Sequence, residues 1–383
     1  MILFIFTFFF LYGILHFYFF MWVKTAFSSN FNITFALSLS FCMLFLMTTP
    51  IFVRLAETGG LSTLARILAY LGFTWMGMLF LFTCTFIIID LYRLLLWFCS
   101  FIFKSNLYFF TLSTKSWFML AVAIVLATSI YGWFEAGAIR TEKIIIKTDK
   151  LSSEVSPLRI VQISDVHLGL MIRKERLNKI IKEVQKAAPH LLISTGDLVD
   201  GDINTLDGVS AILNEVKTEY GKFAVTGNHE FYAGLSQALA FTERSGFRVL
   251  RGESIDVGNF MTIVGMDDPA VHGFGNSERS EADVSLPTSN DRFILLLKHR
   301  PVVNHESLGR FDLQLSGHVH GGQIFPFTIF TRLAFPLSTG FHVLEKGSSI
   351  YVSRGSGTWG PPIRFLSPPE VTLIELVHTP TRP

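Results

Sequence analysis

The residues of this chain that could do chemistry include two histidines on one glycine-rich turn. His318 and His320 lie one residue apart in the stretch Ser316–Gln323, with glycine on either side, and they follow the strand-like run 311–315. The glycines leave little side-chain bulk near the two imidazoles, and imidazole is a common metal ligand. A polar turn with two exposed histidines has the same sequence pattern, so the turn alone does not establish a metal site.

Four further stretches upstream each follow an apolar run and end in oxygen or imidazole ligands. These are Asp165-Val166-His167, Gly196-Asp197, Gly227-Asn228-His229-Glu230 and Lys298-His299-Arg300. Each has a simpler interpretation when taken alone, because caps, turns and surface histidines produce the same short patterns. Their joint occurrence in one half of the chain, each behind an apolar run, argues against coincidence.

The combined ligand set mixes oxygen and nitrogen and contains no sulfur, since Cys42, Cys84 and Cys99 all lie in the first 140 residues. Such a set suits Mn²⁺, Fe²⁺ or Zn²⁺ better than a thiolate zinc site. It is too large for one ion with open positions, whereas two ions about 3.5–4 Å apart that share a carboxylate would use all of it. Such a pair polarises a phosphoryl oxygen and supplies hydroxide near neutral pH. The chemistry indicated is phosphoester hydrolysis.

The elements that must position these ligands alternate between apolar runs and amphipathic stretches. Strands are expected at 158–163, 191–194, 223–226, 293–297 and 311–315, each ending at one ligand stretch, with helices at 173–187, 206–217 and 235–245. Other strands are expected at 143–147, 247–250, 260–266, 341–344, 349–353 and 371–377, and residues 267–292 have the composition of a surface insertion. This alternation predicts an α/β fold with the ligands at the C-terminal ends of strands.

The order of these motifs resembles the calcineurin-like metallophosphoesterase superfamily over about residues 155–378, and every metal-ligand motif of that superfamily is matched without a substitution. The resemblance implies an αββα sandwich, a pair of facing sheets flanked by helices. It also implies the role of each ligand. Asp165, His167 and His320 would hold the first metal, Asn228, His299 and His318 would hold the second, and Asp197 would bridge them. His229 would be a non-ligand general acid that protonates the leaving oxygen. The substrate-binding residues are left unknown.

Two later stretches, Gly321-Gly322-Gln323 and Gly360-Pro361-Pro362-Ile363-Arg364, look like the bacterial membrane-associated branch that includes YkuE- and YaeI-type phosphodiesterases. Some relatives in that branch hydrolyse the pyrophosphate of UDP-2,3-diacylglucosamine in lipid A synthesis. Four spans, as expected below, are a departure from the signal or single span that is common in that branch.

The first 140 residues have a different composition from the rest of the chain. They contain 10 of the 62 charged residues and 25 of the 39 phenylalanines, whereas 10 of the 11 histidines lie beyond them. Apolar runs long enough to cross a bilayer are expected at about 2–23, 31–53, 67–89 and 117–137. The prediction is therefore a multi-pass transmembrane region, 1–140, followed by a catalytic domain, 141–383.

The side of the membrane on which the catalytic domain lies depends on the basic residues that flank the spans. With the N-terminus inside, six would be cytoplasmic and four outside: Arg54, Arg66, Arg140, Lys143, Lys147 and Lys150 against Lys24, Arg93, Lys104 and Lys115. This count favours a cytoplasmic catalytic domain only weakly.

The sequence is compatible with an enzyme, a sensor or a transporter, and its residues favour the enzyme. The leading hypothesis is a membrane-anchored phosphoesterase with two divalent ions, Mn²⁺ first, that hydrolyses a phosphodiester, phosphomonoester or pyrophosphate. A UDP-2,3-diacylglucosamine-type pyrophosphatase and a non-catalytic membrane sensor are the alternatives. A sensor has no need of the acid His229, and a transporter is disfavoured because the spans carry few polar residues. No nucleic acid partner is expected, since no basic stripe with interleaved aromatics is present.

One apolar segment, residues 324–337, directly follows the two-histidine turn. Its prolines, Pro326 and Pro336, argue against a regular helix or a central strand. It either packs under the sheet or forms an exposed apolar lip that contacts membrane lipids. The second interpretation predicts a lipid-linked substrate.

Overall fold

The computed structural model describes residues 2–201, 203, 206, 208–274 and 291–380. The described chain divides into two compact units, residues 1–134 with 360–363 and residues 135–359 with 364–383. Most of the predicted surface insertion 267–292 lies outside the described residues.

The first unit is built from four long helices, α1 (Ile2–Ala26), α2 (Ile33–Thr58), α3 (Ser62–Phe103) and most of α4 (Thr114–Gly137). Each is long and apolar enough to cross a membrane. The third is a single helix of 42 residues, about 60 Å at 1.5 Å per residue, which is longer than a bilayer core requires.

Aromatic and small residues pack these helices together. The rings of Trp22 and Phe86 stack with their centroids 4.4 Å apart, and Phe19 meets Phe82 edge to face at 5.0 Å. Gly72 lies against Thr49 where α2 and α3 pack closely, a position at which a larger residue would collide. Small residues allow such close approach of helices in membranes, where lipid and apolar side chains are equally apolar.

The second unit contains two six-stranded sheets. Their orders are β1-β12-β2-β3-β4-β5 and β10-β11-β9-β8-β7-β6. The strands are β1 (Arg140–Thr148), β2 (Leu158–Ile163), β3 (Leu191–Ser194), β4 (Lys222–Ala224), β5 (Arg248–Val249), β6 (Glu253–Val257), β7 (Met261–Gly265), β8 (Phe293–Leu297), β9 (Leu313–Ser316), β10 (Gly340–Val343), β11 (Ser349–Val352) and β12 (Glu370–His378). Five more helices complete it: α5 (Lys174–Lys186), α6 (Val209–Asn214), α7 (Asn228–Ala233), α8 (Leu235–Arg244) and α9 (Phe327–Ala334).

The core lies between the two sheets and beneath the helices that cover the first sheet. Ile160 and Ile193 of the first sheet pack with Leu295 and Leu315 of the second in one buried cluster. On the outer face of the first sheet, Ile180 of α5 and Phe241 of α8 belong to a second buried cluster. The predicted two-sheet α/β domain after four apolar helices is confirmed.

Three local expectations were wrong or incomplete. The segment 324–337 contains the helix α9, because Pro326 stands just before its first residue and Pro336 beyond its last, so the prolines bound the helix instead of breaking it. The short helix α7, which begins at Asn228, and the strand β6 had not been expected. Of the basic residues in the membrane charge count, Arg140, Lys143 and Lys147 lie on β1, within the folded domain.

Candidate metal centre

The candidate ligands come from the segments that follow five strands. Strand β2 leads to Asp165 and His167, β3 to Asp197, β4 to Asn228 and His229, β8 to His299, and β9 to His318 and His320. Because β2, β3 and β4 are parallel neighbours in one sheet and β8 and β9 are parallel neighbours in the other, their C-terminal ends meet at one edge of the sandwich.

One group of ligands is formed by Asp165, His167 and His320. The Nε2 atoms of the two imidazoles face each other at 3.0 Å, and Asp165 Oδ1 lies 3.5 Å from His320 Nε2. Burial lowers the pKa of His167 to about 4 and that of His320 well below its ordinary value, so both rings are neutral near pH 7. Neutral imidazole is the form that binds a metal ion.

A second group is formed by Asp197, His299 and His318. Asp197 Oδ2 lies 3.1 Å from His299 Nε2, and His318 Nδ1 lies 3.1 Å from the same His299 nitrogen. Burial opposes the charged form of His299, but the nearby carboxylates, with Asp197 first and then Asp165, together outweigh it and raise the His299 pKa to about 10. A metal ion bound here would take the place of that proton.

Asp197 stands between the two groups. Its Oδ2 is 3.8 Å from His167 Nε2 on one side and 3.1 Å from His299 Nε2 on the other. Burial opposes its ionisation, yet the surrounding imidazoles, that of His299 first, hold its pKa well below the usual range. A carboxylate that stays ionised between two sets of nitrogen ligands fits the position of a bridging ligand.

One buried polar atom beside the two groups has no partner among the described residues. It is Asn228 Oδ1, an amide oxygen to which no described residue donates a hydrogen bond. A buried polar atom without a partner costs about 1–3 kcal/mol, so folded proteins rarely leave one unless an ion or water completes it. The amide oxygen of Asn228, together with the absence of sulfur, therefore fits a pair of divalent ions.

His229 is held by a carboxylate. Its Nδ1 lies 2.8 Å from Asp200 Oδ1, which leaves Nε2 as the nitrogen that can face a reacting group. Burial lowers the pKa of His229, but Asp197 and then Asp200 outweigh it and raise that pKa to about 9. His229 also lies close enough to His167 and Asp197 to form a third group of potential ligands, so proximity alone does not exclude it as a ligand.

The backbone at the ligands is strained. Asp165, His167, Asp197, His318 and His320 all have φ between 49° and 73°, the left-handed region that non-glycine residues seldom adopt. Each such residue costs of the order of 1 kcal/mol or more, and strain of this kind is concentrated at functional sites. Five candidate ligands therefore have an unfavourable backbone conformation, which indicates that local stability is lost where the fold directs these side chains into the site.

Glycines allow the ligand loops to approach one another. A Cβ atom on Gly196, which has φ +92°, would lie 2.7 Å from Gly227 N and 2.8 Å from His299 Nδ1. A Cβ atom on Gly227 would in turn lie 2.6 Å from the backbone nitrogen of Asp197. Both distances are shorter than real Cβ contacts, so only glycine fits at either position.

Sequence reasoning missed three residues that support the ligands. Asp200 orients His229, as described above. Glu230, buried directly after it, accepts hydrogen bonds from four backbone N–H groups, those of Asp197, Leu198, Val199 and Gly227. Burial raises its pKa to about 7. The sequence motif alone gives Glu230 no role, because three of its four partners lie 31–33 residues earlier in the chain.

Arg364 is the third such residue, and it is fully buried. Its Nη2 lies 3.1 Å from His320 Nδ1, and its guanidinium donates to the carbonyl oxygens of Gly357 at 2.7 Å and of Ser367 at 3.0 Å. It thereby ties the ligand His320 to the loop that leads to β12. A buried arginine surrounded by carbonyl groups has no local sequence signature.

Comparison with known proteins agrees with this geometry. Residues 158–322 match the family model described as calcineurin-like phosphoesterase. An uncharacterized metallophosphoesterase of Aquifex aeolicus is 40% identical over 258 residues, 67% of this chain and 97% of the relative. The uncharacterized metallophosphoesterase YkuE of Bacillus subtilis is 31% identical, over 68% of this chain and 94% of the relative. A transmembrane protein with metallophosphoesterase domain from Danio rerio is 29% identical, over 67% of this chain and 62% of the relative.

Proposed function

The chain belongs to the calcineurin-like metallophosphoesterase family and is a multi-pass membrane protein, and from this premise we propose that it hydrolyses a lipid-linked phosphoester at the membrane surface. The bond cleaved is a phosphodiester, a phosphomonoester or a pyrophosphate. The observation that carries the lipid part of the proposal is the exposed apolar helix α9, which begins seven residues after His320.

The two ligand groups support hydrolysis with two divalent ions, for which Mn²⁺ is the first candidate. Asp165, His167 and His320 would hold one ion, and Asn228, His299 and His318 the other, with Asp197 shared. Ions held there would polarise the phosphoryl oxygen and lower the pKa of the attacking water. The protein supplies the fixed geometry, because its ligands are buried and their loops are packed against one another.

His229 is proposed as the group that protonates the leaving oxygen. Its Nδ1 is engaged by Asp200, so the proton at Nε2 is the one available for transfer. The Asp200 carboxylate, which is not one of the proposed ligands, contacts the ring and favours its protonated form, as an acid requires. A module that only bound phosphate would have no use for a buried acid of this kind, which favours an enzyme over a sensor.

The helix α9 supports a lipid substrate through its exposed apolar side chains. Phe327, Phe330 and Leu333 are 47%, 56% and 77% exposed, and Arg332 is the only charged residue of the helix. Thr328 Oγ1 donates to the carbonyl oxygen of Gly321 at 3.2 Å, so the helix packs directly on the turn that carries His320. A helix that exposes phenylalanine and leucine on one face can bury that face in the interface of a bilayer.

The segment at Phe365 pairs with the chain just before α9. The backbone N–H of Phe365 donates to Gln323 O at 2.9 Å, and its carbonyl oxygen accepts from Phe325 N at 3.0 Å. Phe325 stands two residues before α9, so these hydrogen bonds fix the start of the apolar helix within the catalytic unit.

The test is hydrolysis by the purified full-length protein. After chelation of its metals, the protein is expected to be inactive and to regain activity with Mn²⁺. Substrates should include lipid-linked esters, UDP-2,3-diacylglucosamine, other nucleotide sugars and simple phosphodiesters. A lipid-bearing ester should be cleaved with a higher kcat/KM than its short-chain analogue. Equal rates on both, at concentrations below micelle formation, would refute the lipid part of the proposal.

A further inference from the structure

We propose that Tyr232 and Trp359 form a leaving-group subsite beside His229, and that this subsite takes the apolar part of the substrate. The alcohol that departs is then the lipid-bearing one, and the phosphate that remains carries the smaller group or none. This inference deepens the proposed function and rests on the role given there to His229.

The subsite is defined by two aromatic rings around one imidazole. The ring centroid of Tyr232 lies 5.4 Å from that of His229, and the centroid of Trp359 lies 5.5 Å from it. Both rings stand nearly perpendicular to the imidazole, with interplanar angles of 71° and 69°. His229 itself is buried, whereas Tyr232 is 56% exposed and Trp359 is 52% exposed. The two rings therefore present aromatic surface to solvent right beside the proposed acid.

The chemistry places the leaving group at these rings. Hydrolysis forms a bond between phosphorus and a water oxygen and breaks the bond between phosphorus and the leaving oxygen. His229 gives its proton to that oxygen, the water loses one proton, and solvent returns a proton to His229. The leaving oxygen must therefore come within hydrogen-bonding distance of His229. The atoms attached to it then lie against Tyr232 and Trp359.

Trp359 is held in position from both sides of its backbone. The amide group of Gln323 donates from Nε2 to Trp359 O at 2.9 Å and accepts at Oε1 from Trp359 N at 3.0 Å. Gln323 is buried and directly follows the turn of His320. The Gln323 side chain therefore fixes the backbone of Trp359 relative to the turn that carries His320. An aromatic residue that was merely exposed would not need such a pair of hydrogen bonds.

Two further exposed apolar residues belong to the segments that Gln323 connects. Phe325 stands two residues after Gln323, and its backbone pairs with that of Phe365, beside Leu366. Phe325 and Leu366 are both exposed. A chain that left the aromatic pair towards these segments would meet apolar side chains, so an alkyl leaving group is favoured over a charged one.

The experiment compares two chromogenic diesters, matched in the length of their alkyl chain, with the full-length protein. One is a methyl phosphate ester of a nitrophenol that carries an octyl chain on its ring, so the chain leaves. The other is an octyl phosphate ester of unsubstituted nitrophenol, so the chain stays on phosphate. Both release a nitrophenolate, and kcat and KM are measured for each with Mn²⁺.

Trp359→Ala and Tyr232→Ala should each lower kcat/KM about tenfold or more on the diester whose chain leaves, with little change on the other. Trp359→Phe should restore most of the loss, because it keeps an aromatic ring. Phe341→Ala removes an exposed aromatic side chain of β10 and serves as the matched control, with no change expected on either ester. Melting temperature and metal content should match the wild type in each variant.

Two results would overturn the subsite. Equal losses on both diesters would show that the rings do not distinguish the leaving group, and selective loss on the ester that retains its chain would place the lipid on the other side of phosphorus. A wild-type protein that cleaves neither diester, and no lipid ester in the broader screen, would instead refute the proposed function itself. If Trp359→Ala does not fold, Tyr232→Ala, at an exposed position, decides the question alone.

Discussion

At the scale of single residues, the metal centre depends on carboxylates and imidazoles whose ionisation the fold controls. Burial keeps His167 and His320 neutral, and facing imidazoles keep Asp197 ionised. Asp200 and Glu230 touch no proposed ion, yet they fix His229 and the backbone around Asp197. The geometry of the site therefore depends on these two supporting residues as well as on the candidate ligands.

The distinction between ligand and acid gives the first prediction at this scale. Asp197→Asn should abolish activity and lower the metal content, because the shared carboxylate serves both ions. His229→Ala should keep both ions bound while turnover falls by about 10²–10⁴. Metal content by mass spectrometry and kcat with a simple aryl phosphodiester are the measurements.

Asp256→Asn, which removes an exposed carboxylate on β6, is the matched control for Asp197→Asn and should retain metals and activity. A His229 variant that lost an ion would mean that His229 is a ligand, as its position near His167 and Asp197 allows. An Asp197 variant that kept both ions would exclude the bridging role.

At the scale of elements, two unfavourable features lie next to the site: the strained backbone of the ligand loops and the exposed apolar surface of α9. Five ligand residues with left-handed backbone are held by parallel strands on both sides. The helix α9 follows the last of them and leaves its apolar side chains exposed. Both features are unfavourable for a soluble domain by itself, and both have a use in a phosphoesterase that works at a bilayer.

The exposed helix gives a second prediction. The double variant Phe327→Ser with Phe330→Ser should lower kcat/KM about tenfold or more on a lipid ester, because two half-exposed rings no longer enter the interface. Its rate on a soluble ester and its melting temperature should stay near those of the wild type, as is usual for exposed positions.

Ile145→Ser, an exposed apolar position on β1, is the control for that double variant and should behave like the wild type on both esters. Equal losses on both esters together with a lowered melting temperature would mean that α9 only packs against the domain.

At the scale of the whole molecule, the second unit forms its own core and contains all of the candidate ligands. Strand β1 begins three residues after α4 ends, and it pairs in parallel with β12 from Arg140↔Glu370 to Thr148↔His378. Its side chains Ile144 and Ile146 pack on the cluster between the sheets. We propose that the domain is self-contained once β1 is included.

This proposal predicts different behaviour for two fragments. Residues 138–383 should be soluble in the presence of a mild detergent, melt cooperatively and bind Mn²⁺. Residues 149–383, which lack β1, should aggregate or lose cooperative melting, because the edge of β12 and the apolar groups beneath β1 would be exposed. Circular dichroism melts and metal content check both, and a shorter fragment as stable as the longer one would contradict the proposal.

The sequence by itself determined the ligand types, the strands that carry them and the apolar helices. These are local properties: a buried strand is a short apolar run, a membrane helix is a long one, and each ligand stretch directly follows its strand. For this reason the runs 158–163, 191–194 and 293–297 coincide with β2, β3 and β8. The candidate metal ligands follow from motif order, and proposing them needed no knowledge of the sheet order.

Only the tertiary structure decided what these ligands touch. The sheet order places the last strand, β12, between the first two, so neighbours in space are distant in sequence and no local period reveals them. Three features of the site depend on such contacts between chain segments. They are the contact of Arg364 with His320, the hydrogen bonds of Glu230 to the backbone at Asp197, and the two aromatic rings beside His229. The exposure of α9 was equally hidden, because an apolar segment packs inside or faces a bilayer according to what covers it, and its residues are the same in either case.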